Sequence, residues 1–464
     1  MIEFKNIEGI YFVGIGGIGM SALALYFAKG GYKIAGYDRS ESRITHSLIE
    51  NGCKVTYEDD SNILPYLFRK TADKNKVIIV YTPAIPAENK IISFFRNNGY
   101  LIFKRSEILG EISGNTDTLA VAGTHGKTTI STMIAHLLKQ SHVDCSAFLG
   151  GISKNYDSNL LLGDSRYTVM EADEFDRSFH RLKPLIAVVT SLDADHLDIY
   201  GDQATMIKAY NEFCGKIRNG GNLIVNRRIR KDIIVPEGVS CLTYGLNNEA
   251  DYHSSDIKHC KDYYSFNFNS PSAIIEDLHF AFPGIINIEN FTAAIAVALM
   301  CGVTEQEIRK GVLLFQGVRR RFDIRINLPG LAYVDDYAHH PEEIRACITC
   351  VKEFFTGRKI TGIFQPHLFS RTRDHADGFA RILDELDEAI LLPIYPAREK
   401  PIEGVTSELI FNKMRSDKKR LLAKEDIPGK LDIKNLDVLL TIGAGDIDTL
   451  VEPIEKEIYK ERVR

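Results

Sequence analysis

The chain reads as an α/β protein of three units, and three observations carry that reading. Apolar runs of strand length alternate with helical segments over 9–105 and again over 332–442, the pattern of parallel sheets covered by helices. Two glycine turns, Gly14 to Gly19 and Gly123 to Gly126, each stand between an apolar strand and a helix. Between the alternating stretches lies a polar, tyrosine-rich part, 251–282, whose pattern suits antiparallel strands. A length of 464 residues agrees with three domains at about 150 residues each.

In the first unit, strands are expected at 10–13, 33–36, 77–81 and 101–103. The first runs into Gly14-Ile15-Gly16-Gly17-Ile18-Gly19, and Asp38 closes the second. Such a turn holds a diphosphate at a helix N-terminus, with the acidic group near a hydroxyl or a base. A nucleotide sugar fits as well as a nicotinamide dinucleotide. A glycine turn that merely packs a helix closely on its strand is the structural alternative.

Glycine, Asn and Asp cluster at 113–117 and mark the first boundary. A strand at 118–122 then enters Gly123-Thr124-His125-Gly126-Lys127-Thr128-Thr129 ahead of a helix at 130–140. The glycines turn backbone N–H groups toward phosphate, Lys127 adds charge at the outer phosphates, and the Thr128 hydroxyl can join a Mg²⁺ shell. Val121 stands where an eight-residue phosphate loop has glycine, so this is a short form.

Further strands are expected at 167–170, 187–190 and 222–225. Two of them end in acidic segments, Glu171-Ala172-Asp173-Glu174-Phe175-Asp176 and Thr190-Ser191-Leu192-Asp193-Ala194-Asp195-His196-Leu197-Asp198. Carboxylates at that edge of an open sheet hold Mg²⁺; a solvated acidic loop is the alternative. Asn287 and Asn290 precede a helix expected over 291–301 and read first as caps, although an amide also pairs with an adenine edge.

The third unit begins near 317–323, where Arg319, Arg320 and Arg321 form a charged junction. Strands follow at 332–335, 360–364, 388–392 and 438–442. Asp335-Asp336-Tyr337-Ala338-His339-His340-Pro341 ends one, and Gln365-Pro366-His367, with Arg371 and Arg373 beyond it, ends another. Clustered His and Arg at such edges suit carboxylate or phosphate binding, with ordinary surface loops as the alternative.

A net charge of −5 with 26% charged residues gives no sign of a nucleic-acid partner and points to small molecules. No signal-peptide succession opens the chain and no apolar run has spanning length, so a cytoplasmic protein without a membrane partner is expected. Of the eight cysteines only Cys347 and Cys350 approach ligand spacing; on one helix face they read as small apolar side chains.

Taken together, these motifs resemble the Mur ligases nearly end to end. Gly-Thr-His-Gly-Lys-Thr-Thr (from Gly123), Gly-Ile-Gly-Gly-Ile-Gly-Met-Ser (from Gly14), Val-Asp-Asp-Tyr-Ala-His-His-Pro (from Val334) and Phe-Gln-Pro-His (from Phe364) are similar to the alanine-adding branch of that family. The resemblance implies an N-terminal Rossmann-like domain for a UDP-sugar (1–113), a central ATPase-like domain (114–318) and a C-terminal Rossmann-like domain for an amino acid (319–464). The central sheet is then mostly parallel with an antiparallel part. It also implies that ATP activates the lactyl carboxylate of UDP-N-acetylmuramate as an acyl phosphate, which L-alanine attacks.

On that resemblance the residues at 123–129 cradle the ATP phosphates, Thr128 and Glu171 hold one Mg²⁺, and His196 holds a second. Asn290, with Asn287 beside it, becomes an adenine contact, and Arg321 and Asp336 attend the ATP phosphates and ribose. Gly14, Gly16, Gly17, Ile18, Gly19 and Asp38 serve the UDP-sugar; Tyr337, His339, His367 and Arg371 surround the amino acid and the intermediate. Lys127, His196, His339 and Arg371 form the catalytic set.

Three positions depart from the family's pattern. Ile286 stands where related ligases often have His, Leu368 where many have Arg, and Asn211 where other branches carry a carbamylated Lys, so no carbamylation is expected. A nicotinamide-dependent oxidoreductase leaves the Lys127 loop unexplained, and a simple P-loop kinase leaves the third unit unexplained. A tripeptide-recycling ligase of the same family is the nearer rival.

Overall fold

The computed structural model describes residues 4–83, 85–86, 88–193, 200–260, 263–397 and 399–462, with the side chains of Phe175 and Asp176 outside that description. Contacts divide the chain into two compact units, Met1–Phe282 with Ile286–Gln316, and Pro283–Ile285 with Gly317–Arg464. The first unit contains two sheets and the second contains one.

The N-terminal sheet orders its strands Lys54–Thr56, Lys33–Tyr37, Gly9–Val13, Val77–Tyr81 and Leu101–Lys104, all parallel. Gly9–Val13 is buried at every position, as a central parallel strand covered on both faces must be. Its C-terminal end therefore opens at the glycine turn. The helix Ile18–Lys29 starts there.

Among the described residues the central sheet has ten strands. Its parallel heart places Asp117–Ala122 between Ile186–Val189 and Tyr167–Glu171, so both acidic strand ends flank the phosphate loop. On one side the sheet continues through Asn222–Asn226 and Ser240–Gly245 into an antiparallel meander, Tyr252–Cys260, Tyr263–Asn269 and Ile274–Phe280. Tyr263–Asn269 alternates buried and half-buried residues, the signature of a sheet with one packed face. On the other side Ser146–Ser153 and Ser158–Leu161 complete it, two strands that were not among those expected from the sequence.

The third sheet orders Asp323–Leu328, Leu331–Asp336, Val438–Ile442, Ile360–Phe364, Glu388–Leu391 and Lys419–Leu421, parallel except for the first pair. The expected charged junction ends where a strand begins, at Asp323. Asp323–Leu328 forms a hairpin with Leu331–Asp336 across Pro329 and Gly330, whose φ of 81° suits the turn.

One helix start differs from expectation. The helix spans Ile285–Met300, so Asn287 and Asn290 lie inside it and do not cap it. Pro283 and Gly284 (φ 93°) punctuate the chain just before, and the apolar helix begins two residues before Asn287 and five before Asn290. Cys347 and Cys350 are buried on the helix Pro341–Phe354, in agreement with their packing role.

Candidate active site

The phosphate loop is built by two left-handed glycines and a helix that starts without delay. Gly123 has φ 133°, and a Cβ there would collide with Thr190 Oγ1. Gly126, φ 82°, is the N-cap of the helix Lys127–Lys139. The first-turn N–H groups of Lys127, Thr128 and Thr129 have no partners within the helix, which makes this end an anion cradle.

The neighbouring strand end holds the loop. Ser191 Oγ accepts the His125 N–H at 2.9 Å and lies 2.8 Å from Thr124 Oγ1, while Thr190 Oγ1 donates to the His125 carbonyl at 2.5 Å. Asp193 Oδ2 stands 3.6 Å from His125 Nε2. Thr190, Ser191 and Asp193, at the start of the segment expected to supply metal ligands, thus act as the scaffold of the loop. His196, Asp195 and Asp198 fall outside the described residues.

Lys127 is held within the loop. Its ammonium donates to the Gly123 carbonyl at 2.6 Å, the Thr124 carbonyl at 3.2 Å and Glu174 Oε1 at 2.8 Å. Burial pulls its pKa down, but the carboxylates of Glu174, Glu171 and Asp173 outweigh burial and the net shift is upward, so the side chain stays charged. Glu174 was legible only as part of an acidic motif; its pairing with Lys127 was not.

Glu171 ends its strand directly beside Val121, two residues before the phosphate loop begins. Its Oε2 accepts the Gly150 N–H at 3.1 Å. Asp173 pairs with Arg105, Nη2 to Oδ2 3.2 Å, a contact that no sequence motif announced.

Asn290 reaches the loop from the buried helix: a Cβ on Gly126 would lie 3.2 Å from its Oδ1. Its Nδ2 donates to Asn287 Oδ1 at 3.2 Å. The two amides are one turn apart and support each other, a geometry caps do not have.

At the first glycine turn, Gly14 has φ 88° and its N–H donates to the Tyr37 carbonyl at 2.7 Å. Asp38 Oδ2 accepts the Gly16 N–H at 2.8 Å, so the acidic residue braces the turn from within. Gly17 is the N-cap of the helix beginning at Ile18, and Gly19 lies against the Arg105 guanidinium.

In the second unit the arginine junction folds back on the strand end. Tyr337 N–H donates to the Arg320 carbonyl at 2.7 Å, and the guanidinium carbons of Arg320 and Arg321 each lie 5.1 Å from the Tyr337 ring centroid. Arg320 and Phe322 adopt left-handed φ of 63° and 44°, strain of the kind that gathers at functional turns. Asp336 is buried; its carboxylate accepts the Phe322 N–H at 2.6 Å and the Ala338 N–H at 2.8 Å. Burial pushes its pKa up, with Arg321 pulling back. Neighbouring Asp335, pushed up to about 6 by burial, takes a hydrogen bond from Thr441 and faces Arg320 at 3.4 Å.

Tyr337, His339 and His367 come together: the His339 ring lies 5.4 Å from Tyr337 and 5.9 Å from His367, which stacks on Tyr395 at 5.8 Å. Burial lowers the His339 pKa, Glu343 opposing and Arg371 assisting, so the imidazole is neutral near pH 7. Arg371 sits in the first turn of the helix Phe369–Leu383. Leu368, its N-cap, has φ 70°, a conformation that favours glycine.

Family comparison agrees with this architecture. Three models match in order along the chain: Mur ligase family, catalytic domain, over 9–116; Mur ligase middle domain, over 121–298; and Mur ligase, glutamate ligase domain, over 320–445. The chain belongs to the Mur ligase family. Its similarity to one named kind of member is high. It is 47% identical over 464 residues to the UDP-N-acetylmuramate–L-alanine ligase of Parabacteroides distasonis, covering both chains in full. It is 48% identical to the protein of the same name from Porphyromonas gingivalis, covering 96% of this chain and 98% of that one.

Among solved structures, the UDP-N-acetylmuramate-alanine ligase of Thermotoga maritima superposes with a TM-score of 0.83 at 24% identity, over 98% of this chain and 100% of that one. A murein peptide ligase of Psychrobacter arcticus does so with 0.71 at 20% identity, over 97% and 98%. Both show the shared fold.

Proposed function

We propose that this chain is an ATP-dependent ligase that joins L-alanine to the lactyl carboxylate of UDP-N-acetylmuramate, releasing ADP and phosphate in peptidoglycan precursor synthesis. The observation that carries this reading is the short phosphate loop with Lys127 charged inside it and Glu171 on the adjoining strand end. The curated relatives at 47% and 48% identity support the choice of substrates.

Two anions must meet for a carboxylate to attack the γ-phosphate, so positive charge at the transferring group is the main demand on the site. Lys127 meets it by turning from Glu174 and the loop carbonyls to the phosphates, while the N–H groups at 127–129 hold them in place. Asn290 is assigned to the adenine, with Asn287 orienting its amide; its closeness to Gly126 and its bond to Asn287 support the assignment. Gly14, Gly16, Gly17, Ile18 and Gly19 cradle the UDP diphosphate, and Asp38 keeps the turn in shape.

Mg²⁺ fits the oxygen donors present. Glu171 gives one oxygen to Gly150 and has a second for a hard cation, and Thr128 contributes a hydroxyl on the loop. His196 is proposed for a second ion by motif. When bound, Mg²⁺ supplies neutralisation of the phosphate oxygens.

In the second unit, we assign Arg321 and Asp336 to the ATP phosphates and ribose, and Tyr337, His339, His367 and Arg371 to the amino acid and the acyl phosphate. A neutral His339 is suited to accept a proton from an attacking amine, and Arg371 to pair with a carboxylate. The domains are assigned as 1–113, 114–318 and 319–464. Among the described residues no helix is long and apolar enough to cross a membrane, and small soluble substrates fit a cytoplasmic setting.

Phosphate release measured with each substrate omitted in turn tests the reading. It should require ATP, UDP-N-acetylmuramate and L-alanine together, and the free tripeptide used by recycling ligases should replace alanine poorly. Release that needs no amino acid, or that prefers the tripeptide, overturns it.

A further inference from the structure

We propose that Arg105 is a positioning residue that couples the two nucleotide sites of the first unit, so that the UDP-sugar and the Mg²⁺-nucleotide each strengthen the other's binding. The proposal rests on the site assignment above and deepens it. Arg105 opens the helix Arg105–Gly114 directly after the edge strand Leu101–Lys104. Glu107 Oε2 accepts the Lys104 N–H at 2.8 Å, which fixes the helix start and hence the root of the arginine.

From that root the side chain reaches two places. A Cβ on Gly19 would collide with Arg105 Nη1 and lie 3.1 Å from its Cζ, so the guanidinium packs directly on the first turn of the helix Ile18–Lys29. That turn is the positive end of a helix, and a cation beside it is unfavourable until an anion arrives. On its other side Nη2 pairs with Asp173 Oδ2 at 3.2 Å.

Asp173 lies between Glu171, the candidate metal ligand, and Glu174, which holds Lys127. Arg105 therefore ties the glycine turn of one sheet to the acidic segment of the next. A guanidinium has five donors in a planar fork and can serve a phosphate and a carboxylate together. A diphosphate at Gly14 to Gly19 draws on the Arg105 charge and leaves the carboxylates at 171–174 more negative. Those carboxylates then attract a divalent cation and its nucleotide more strongly. Linkage makes the effect equal in the opposite direction.

Calorimetric titration of UDP-N-acetylmuramate into the full chain, with and without saturating Mg²⁺ and ADP, tests this without turnover. The wild-type chain is expected to bind the UDP-sugar about 5-fold or more tightly in the presence of Mg²⁺-ADP, at the lower end of ordinary allosteric coupling. Because the carboxylates at 171–174 lose their neutralising cation, Mg²⁺-ADP binding by itself should be at least as tight in Arg105→Met as in the wild-type chain, and the substitution should bring that ratio close to one. Asp173→Asn should do the same from the other side of the pair, and Arg105→Lys should restore part of the ratio.

A ratio near one in the wild-type chain, or an unchanged ratio in folded Arg105→Met and Asp173→Asn chains, overturns the coupling alone. A wild-type chain that binds Mg²⁺-ADP but no UDP-N-acetylmuramate overturns the site assignment and the coupling with it.

Discussion

Lys127 and Glu174 form a buried ion pair: the ammonium lies 2.8 Å from Glu174 Oε1, with side-chain exposures of 13% and 2%. Gly123 and Thr124 supply the other two acceptors, so the loop itself holds the cation assigned above to the phosphates. The pair has consequences for stability as well as for catalysis.

Lys127→Ala should lower ligation by about 1000-fold or more, the scale of losing a principal charge at a phosphoryl transition state. Removing one partner also leaves a buried carboxylate, which costs about 3 kcal/mol. Lys127→Ala/Glu174→Ala should therefore be more stable than Lys127→Ala and equally inactive. Urea unfolding and phosphate release check both statements; turnover retained by Lys127→Ala rules out its assigned role.

Gly126→Ala places a side chain at φ 82° and 3.2 Å from Asn290 Oδ1. The left-handed conformation alone costs about 1–2 kcal/mol. The KM for ATP should rise while the KM for UDP-N-acetylmuramate, measured with ATP saturating, remains near its wild-type value, because the first glycine turn belongs to a different sheet.

Asn290→Ala removes the amide bonded to Asn287 and placed against the loop. A stability loss of about 1 kcal/mol is expected from the lost hydrogen bond. A rise of about 10-fold in the KM for ATP, with a smaller change when GTP is supplied, would identify it as an adenine contact. Equal changes for the two nucleotides would leave it a structural brace of the helix.

His136 is fully buried on the helix that follows the phosphate loop, bonded to the Gly311 carbonyl at 3.0 Å and the Tyr156 hydroxyl at 3.2 Å. Burial, partly offset by the Gly311 carbonyl, lowers its pKa from 6.5 to about 4. The unfolded chain therefore takes up this proton first. Stability is full above about pH 6.5 and declines as the pH falls toward 4, by up to about 3 kcal/mol for this group. Thermal unfolding across that range should show a shallower acid decline in His136→Gln than in the wild-type chain.

Much of the site was legible because its parts are local. A glycine at a left-handed position, a strand that ends in a carboxylate and a lysine at a helix start are neighbours along the chain. Gly123, Gly126, Lys127 and Glu171 thus lie at the strand and helix ends their spacing implied. Asn290 illustrates the limit. Asparagine favours caps in isolation, but the helix from Ile285 buries an apolar surface on nearly every side, and that gain carries it past both asparagines.

The sequence by itself determined the parallel α/β pattern, the two glycine turns and the family, since each is written in residue order and short-range periodicity. Only the tertiary structure decided which charges meet. Arg105 and Asp173 are 68 positions apart, Lys127 and Glu174 are 47 apart, and Asn290 approaches Gly126 from a distant helix. Such pairs depend on how sheets and helices stack, and on burial that makes a charge seek its partner, neither of which spacing along the chain encodes.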